Sequence, residues 1–193
     1  MEPLYIRNVL SDKLFSDFSK YVDSDGWFLS NLSTKKDKES VFWGKDPQEI
    51  KNDLFYYKIG SIIRLNLMRI YDNNLMLFNF HVNGQTANQH GEPHSDIRDK
   101  NYAITFVLFT SKEWNSLHGG EFIIQNPETK ELKYFEYSSN CGILFSSDWK
   151  HMGQSPNTKT TRLRTSVAFR YCDSSVYDYL AKEMPKKSWG SSW

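Results

Sequence analysis

Hydrophobic positions recur at helical spacing in the first third of the chain and at strand spacing afterwards. The pattern predicts a helix over 12–24, with Ser11 as a typical N-cap and Gly26 as a stop signal. A strand is predicted over 27–32 and a solvated loop over 33–40. A second helix is predicted from Pro47, a favoured first-turn residue, to about Met68.

Beyond Asn74 the pattern changes to short apolar runs separated by turn residues. Strands are predicted over 75–82, 102–110, 120–125, 132–137, 141–145 and 164–171. Asn83 and Gly84 are typical of a turn, and 126–130 is typical of a hairpin loop. This succession predicts a mainly β (α+β) fold, an antiparallel sandwich or barrel with the two helices packed outside it. We expect one domain over 1–193.

Composition narrows the class of protein without naming a function. The 193 residues include 13 Phe, 11 Tyr and 6 Trp, enough apolar material for a packed core. The net charge of +1 provides no broad basic surface, so nucleic acid is a disfavoured partner, and no apolar run approaches the ~20 residues of a membrane span. The start lacks a secretory signal pattern, so we expect a soluble, cytoplasmic or intracellular protein. Cys141 and Cys172 lie in or beside apolar runs and are expected to be buried free thiols.

The residues that point to chemistry are His94 and Asp96, which are two positions apart, and a distant His151. In an extended segment, residues i and i+2 project to the same side, so His94 and Asp96 can serve one metal ion. Two imidazoles and a carboxylate form the facial set that suits Fe(II) and leaves three positions open for other ligands. His-x-Asp alone is a weak signal, because short motifs often occur by chance.

Several further motifs follow in order and make the pattern more specific. They are Asn83-Gly84-Gln85-Thr86, the strand 104–109 leading to Trp114, Gly119-Gly120-Glu121-Phe122, Gly142-Ile143-Leu144-Phe145 and Arg164-x-Ser166. With His94-Ser95-Asp96 and His151, this set resembles the Fe(II)/2-oxoglutarate-dependent dioxygenases, in particular their prolyl-4-hydroxylase-like branch. The resemblance covers about half of the chain, from Leu75 to Tyr171.

The resemblance implies a double-stranded β-helix, or jelly roll, with its core over 75–173. It implies that His94, Asp96 and His151 bind Fe(II), and that Arg164, with Ser166 beside it, binds the far carboxylate of 2-oxoglutarate. Thr105 and His81 are implied as further co-substrate residues. The implied cofactors are Fe(II), 2-oxoglutarate and O2, with ascorbate as an optional reductant. The implied reaction is hydroxylation of a substrate C–H bond with decarboxylation of 2-oxoglutarate to succinate and CO2.

Three questions stay open at this point. Arg162 lies two positions before Arg164 and is an alternative carboxylate ligand. The Arg164-x5-Arg170 spacing is similar to that of nucleic-acid demethylases in the same superfamily, and a non-catalytic jelly-roll binding protein is a third alternative. For the substrate we favour a peptide or protein, proline first, because aromatic residues in the 27–45 region and the segment 84–93 are expected to surround the entrance of the site. The oligomeric state is not indicated.

Overall fold

A computed structural model describes residues 1–31, 41–46, 50, 52–70, 74–97 and 103–180. The α-helices whose full length lies in this part of the chain are α1 (Asp12–Val22) and α2 (Leu54–Met68). Its ten strands are β1 (Leu4–Ile6), β2 (Trp27–Asn31), β3 (Phe42–Lys45), β4 (Leu75–Gln85), β5 (Ala103–Phe109), β6 (Phe122–Gln125), β7 (Leu132–Phe135), β8 (Gly142–Ser146), β9 (Lys150–Gly153) and β10 (Arg164–Asp173).

The strands form two antiparallel sheets. The larger sheet has the order β1-β8-β5-β10-β4-β3-β2, and the smaller has the order β7-β6-β9. Strand β10 lies at the centre of the larger sheet, where it pairs with β4 and β5. Nine of its ten residues are buried, since both of its faces are covered. The prediction of a mainly β fold with antiparallel sheets is confirmed.

The helices cover one face of the larger sheet, as predicted. Helix α1 buries the apolar stripe Phe15, Phe18 and Val22, and α2 buries residues that include Tyr56, Ile59 and Ile63. These side chains join the alternate residues of the central strands that point to the helices, among them Phe80, Phe106, Val167 and Phe169. Burial of this continuous apolar surface fixes which face of each central strand points away from the helices.

A second core lies between the two sheets. It contains Phe109 and Ile143 from the larger sheet and Phe122 and Ile124 from the smaller, with Trp114 and Tyr137 from the connections. The polar residues of the central strands that do not face the helices therefore point into the space between the sheets. That space holds the candidate site.

The prediction of a turn at Asn83 and Gly84 was wrong, because both residues lie within β4 and pair with β10 on one side and β3 on the other. The glycine serves close packing instead of chain reversal. A Cβ at Gly84 would lie 2.8 Å from Trp27 Cζ3 and 3.0 Å from Leu163 Cδ2. Only glycine leaves room for both side chains, so the strand continues through a dipeptide that is otherwise typical of a turn.

Helix boundaries differ from the prediction in informative ways. Helix α1 begins after Ser11 as expected, but the Ser11 side chain makes no capping hydrogen bond, and the helix ends at Val22, before the predicted 24. The helix that reaches Met68 begins at Leu54, because the extended Asp53 accepts hydrogen bonds from the amides of Phe55 and Tyr56. The predicted start at Pro47 and the predicted loop 33–40 lie outside the described residues.

Three strands were not predicted: β1, β3 and β9. The hairpin that joins β6 and β7 through 126–130 is confirmed by their antiparallel pairing. Cys141 and Cys172 are confirmed as buried free thiols. None of the helices in the described ranges has the length and apolar character needed to cross a membrane.

Candidate metal centre

His94 and His151 face each other because their backbones are paired. The amide of His94 donates to the carbonyl of His151 (3.1 Å), and the amide of His151 donates to the carbonyl of His94 (2.9 Å). This antiparallel bridge joins the segment after β4 to β9, which lies in the smaller sheet. The ring centroids are 4.5 Å apart. His151 is therefore placed by a strand that the sequence pattern did not reveal.

Both imidazoles are held in the tautomer that suits metal binding. Nδ1 of His94 lies 2.9 Å from the carbonyl of Glu92, and Nδ1 of His151 lies 3.0 Å from the carbonyl of Trp149. A carbonyl can only accept, so each Nδ1 carries a proton, and Nε2 is the nitrogen left for a metal ion. A ligating histidine is commonly oriented by such a second hydrogen bond.

Asp96 completes the set. Its Oδ1 is 3.9 Å from Nε2 of His94 and 3.8 Å from Nε2 of His151, and its side chain is only 1% exposed. The ligand atoms of the three residues all lie within 4.8 Å of one another, and no other group of three or more possible ligands occurs in the described ranges. The structure thus brings together the three residues that the sequence suggested.

Each oxygen of the Asp96 carboxylate has a donor from the larger sheet. Thr105 Oγ1 on β5 donates to Oδ2 (2.7 Å), and Arg170 Nη2 on β10 donates to Oδ1. Thr105 and Arg170 are register partners in the β5–β10 ladder, so one rung supplies both donors. Thr105 is fully buried, and its hydroxyl contacts Asp96 and Ser147. His94, Asp96, His151 and Arg164 line a common cavity between the sheets, and Thr105 is not one of its lining residues.

The surroundings of the site keep the Asp96 carboxylate charged and the His151 imidazole neutral. Burial by itself would raise the pKa of Asp96, but Arg170, followed by His151 and His94, outweighs burial and holds that pKa well below its usual range. Burial lowers the pKa of His151 to about 4, against the opposing effect of Asp96. At neutral pH the site therefore offers an anionic oxygen and a neutral nitrogen, the protonation states that a metal ion requires.

His81 lies on β4, on the same sheet face as the site, and its Nε2 is 3.3 Å from Asn79 Nδ2. Burial, together with the nearby Arg170, lowers the pKa of His81 to about 3. It is not one of the residues that line the cavity. The resemblance implies a co-substrate role for His81, and the structure places this residue beside the cavity as a neutral side chain.

Arg164 lies at the start of β10, 2% exposed, and lines the same cavity as the three candidate ligands. Its Nε donates to the carbonyl of Gly120 (2.7 Å) and its Nη1 donates to Gln85 Oε1 (2.8 Å). Its guanidinium carbon lies 4.4 Å from the centroid of the Tyr137 ring. Nη2 is buried without a hydrogen-bond partner, so this end of the cavity presents an unsatisfied cationic donor.

Arg162 lies in a different environment. It precedes β10, is exposed, and donates from Nη1 to the carbonyl of Glu113 (3.0 Å). Ser166 lines the cavity two residues after Arg164 on the same strand face. The geometry therefore separates the two arginines that the sequence left as alternatives.

The sequence predicted no ligand or positioning role for Arg170 or Gln85, although both lie in the motifs described above. Arg170 has a buried Nε and a buried Nη1 without hydrogen-bond partners and lines the cavity with Arg164. The signal that could have identified it is the period of two along β10, where Arg164, Ser166, Ala168 and Arg170 share one face. Gln85 offered no comparable signal, because its role depends on contacts with residues far away in sequence.

Comparison with known structures supports the fold assignment. No protein-family model matches the chain, and no curated protein matches its sequence. Among solved structures, a Pseudomonas putida prolyl-4-hydroxylase is 18% identical and has a TM-score of 0.62, with 89% of this chain and 92% of that chain covered. A Trichoplax adhaerens prolyl hydroxylase, solved with a hypoxia inducible factor peptide fragment, is 14% identical with a TM-score of 0.65, covering 92% and 86%. The chain has the jelly-roll fold of the 2-oxoglutarate- and Fe(II)-dependent oxygenases.

The fold is also similar to that of an epimerase from nogalamycin biosynthesis. The epimerase SnoN, solved with Fe3+, alpha ketoglutarate and nogalamycin RO, is 9% identical with a TM-score of 0.69, covering 99% of this chain and 88% of that chain. The predicted resemblance is thus confirmed for the fold.

Proposed function

We propose that this protein is a 2-oxoglutarate- and Fe(II)-dependent oxygenase that hydroxylates a C–H bond. In the balanced reaction, substrate, 2-oxoglutarate and O2 give hydroxylated substrate, succinate and CO2. One oxygen atom enters the substrate and the other enters succinate. The observation that carries the proposal is that one cavity contains the His94, Asp96 and His151 cluster together with the unsatisfied donor of Arg164.

The three ligand side chains fit Fe(II). Two imidazoles and one carboxylate lie close enough for one ion, and a facial set of this kind leaves positions for a bidentate 2-oxo acid and dioxygen. When bound, iron supplies the activation of dioxygen. The protein holds Asp96 through Thr105 and Arg170 and excludes water with apolar walls, in which Phe122 and Phe145 pack against the His151 ring.

Arg164 fits a carboxylate. Its two satisfied donors contact neutral acceptors, and among the described residues no carboxylate forms an ion pair with it. Burial of the cation is costly and lowers the pKa of Arg164 to about 10, although Tyr137 and Glu121 oppose this shift. An anionic ligand at Nη2 would relieve that cost. The far carboxylate of 2-oxoglutarate would meet this need while its 2-oxo acid end binds the metal. Arg170 offers two further donors in the same cavity.

For the substrate we favour a peptidyl residue, proline first. Phe42, on β3, lines the cavity and presents an aromatic face of the kind that packs well against a proline ring. The net charge of +1 favours a peptide over a nucleic acid. Trp27 also belongs to the 27–45 region that we expected at the entrance of the site, but it packs against the core on the helix side of the larger sheet.

Oxidative demethylation of a nucleobase is the alternative, and one observation favours it. Arg164 and Arg170, whose spacing is similar to that of the nucleic-acid demethylases, both line the cavity. The net charge of +1 argues against this alternative.

The test is succinate formation from 2-oxoglutarate with Fe(II) and ascorbate, in the presence of proline-rich peptides or methylated oligonucleotides. We expect stimulation by a peptide with a +16 mass shift on it, and no turnover by Asp96→Ala. Stimulation by the oligonucleotide alone, with release of formaldehyde, would replace the peptide proposal by demethylation. If the iron-loaded protein neither binds 2-oxoglutarate nor forms succinate, the chain is a non-catalytic jelly roll and the proposal fails.

A further inference from the structure

Gln85, the last residue of β4, is buried and makes three hydrogen bonds with its amide group. Its Nε2 donates to the carbonyl of Gln89 (2.9 Å) and to the carbonyl of Gly153 (3.1 Å). Both acceptors are carbonyl oxygens, so the amide cannot be reversed without placing Oε1 against them. Its Oε1 must therefore face Arg164, from whose Nη1 it accepts a hydrogen bond (2.8 Å).

This arrangement leaves one end of the Arg164 guanidinium for a ligand. The carbonyl of Gly120 accepts a hydrogen bond from Nε, and Gln85 accepts one from Nη1. The Tyr137 ring covers one face of the guanidinium. Nη2 is buried without a partner. The two acceptors are uncharged, so they fix the direction of the guanidinium without neutralising it. Glu121 is close enough to favour the charged form of Arg164, but the structure gives no hydrogen bond or ion pair between them.

The surrounding backbone leaves little room for another arrangement. A Cβ at Gly120 would lie 2.7 Å from Arg164 Cδ, and a Cβ at Gly153 would lie 2.8 Å from Gln85 Oε1. Glycine at these two positions therefore makes space for the Arg164 and Gln85 side chains. The pair is tightly enclosed, and a change at Gln85 must act on Arg164.

We propose that Gln85 is a positioning residue for Arg164 and that its neutral amide preserves the preference of the site for a 2-oxo acid with a distal carboxylate. This inference rests on the proposed function. A glutamate at this position would form an ion pair with Arg164 and neutralise it. Glutamine keeps the same contact and leaves the charge for the ligand.

Gln85→Glu and Gln85→Met test the proposal in two ways. The glutamate keeps an acceptor beside Nη1 but adds a negative charge and loses the donor that faces the carbonyls of Gln89 and Gly153. The methionine removes both the acceptor and the donor at similar size. The measurement is the dissociation constant of the Fe(II)-loaded protein, under anaerobic conditions, for 2-oxoglutarate and for 2-oxovalerate, which lacks the distal carboxylate. The ratio of the two constants reports only the contact with that carboxylate.

We expect the parent to prefer 2-oxoglutarate, and we expect each Gln85 variant to lose about tenfold of this preference while its affinity for 2-oxovalerate is retained. In turnover, the same variants should raise KM for 2-oxoglutarate more than they lower kcat. Gln125→Glu is the matched control, since Gln125 lies on β6 and donates to the carbonyl of Lys130, away from Arg164.

The outcomes distinguish the two proposals. A parent that binds both acids equally would contradict the role of Arg164 in 2-oxoglutarate binding and hence the proposed function. A parent that discriminates, with both Gln85 variants unchanged in their ratio, would overturn the positioning role alone. An equal loss of affinity for both acids would show that Gln85 has only a structural role, and this result would also overturn the positioning role. If one variant fails to fold, the ratio measured for the other decides.

Discussion

Replacing Thr105 by Val removes one hydroxyl beside the metal centre and changes little else, since the two side chains have nearly the same shape. The hydroxyl is fully buried, donates to Asp96 Oδ2 (2.7 Å) and shares a hydrogen bond with Ser147 Oγ (2.8 Å). After the substitution, Oδ2 loses its donor and Arg170 remains the only partner on that carboxylate for which the structure gives a hydrogen bond. The carboxylate is then less well oriented toward the two imidazoles.

The expected size follows from two independent scales. A hydrogen bond to a charged group contributes about 1.5–3 kcal/mol, and loss of an outer partner of a metal ligand typically reduces metal affinity by about 10–100-fold, which is roughly 1.4–2.7 kcal/mol. We therefore expect Thr105→Val to weaken Fe(II) binding by about 10–100-fold. The assay is anaerobic titration with Fe(II) against a competing chelator.

Thr110→Val is the matched control for this experiment. Thr110 is also fully buried, and its hydroxyl donates to Thr165 Oγ1 (2.9 Å), away from the three candidate ligands. The control should lower the free energy of unfolding but bind Fe(II) like the parent. If Thr105→Val binds Fe(II) as tightly as the parent, or if both variants lose affinity equally, the positioning of Asp96 by Thr105 is refuted.

Three other predictions concern the ligands, the arginine and pH. Asp96→Ala and His151→Ala each remove a converging ligand, so both purified variants should lose bound iron in elemental analysis; unchanged iron content would refute the assignment. Arg164→Lys keeps the charge but loses the planar fork, so the dissociation constant for 2-oxoglutarate should rise by roughly tenfold or more, whereas the exposed Arg162→Lys should leave it unchanged; the opposite order would exchange their roles. Folding lowers the pKa of His81 from 6.5 to about 3, so the unfolded chain binds a proton at a higher pH than the folded chain does. The contribution of His81 to the free energy of unfolding is therefore complete above about pH 6.5 and decreases as the pH falls toward 3. Urea unfolding of the metal-free protein should show this decrease, and His81→Asn should make it smaller; an unchanged pH dependence would contradict the buried neutral state.

Local pattern was sufficient for the long elements of the fold. Helix α1 has apolar residues at helical spacing, and β4, β5 and β10 contain apolar runs of strand length, because these elements form the centre of the fold. Strand β9 has four residues, of which Met152 is the only large aliphatic one, and its pairing with β6 is a non-local contact. A strand of this kind cannot be identified from its own residues, although it carries His151.

The Asn83-Gly84 dipeptide shows how tertiary packing overrides a local preference. Its sequence favours a two-residue turn, but both residues belong to β4, which is hydrogen-bonded to β10 on one side and to β3 on the other. Trp27 and Leu163 occupy the space beside Gly84. The close approach of these side chains is determined by residues far apart in the chain. The sequence pattern therefore predicted a turn at Gly84, whereas the structure requires glycine there because two side chains pack closely against the strand.

The register of β10 connects the fold to the site. Val167, Phe169 and Tyr171 pack on the helix side, so the alternate residues Arg164 and Arg170 must point between the sheets. A slip of one residue against β5 would bury both guanidinium groups under the helices and expose the aromatic face to the cavity, at a cost of several kcal/mol for each buried charge. The apolar alternation of β10 thus fixes the rung on which Arg170 and Thr105 meet Asp96. The metal centre depends on this pattern although none of the apolar residues that set it contacts the candidate ligands.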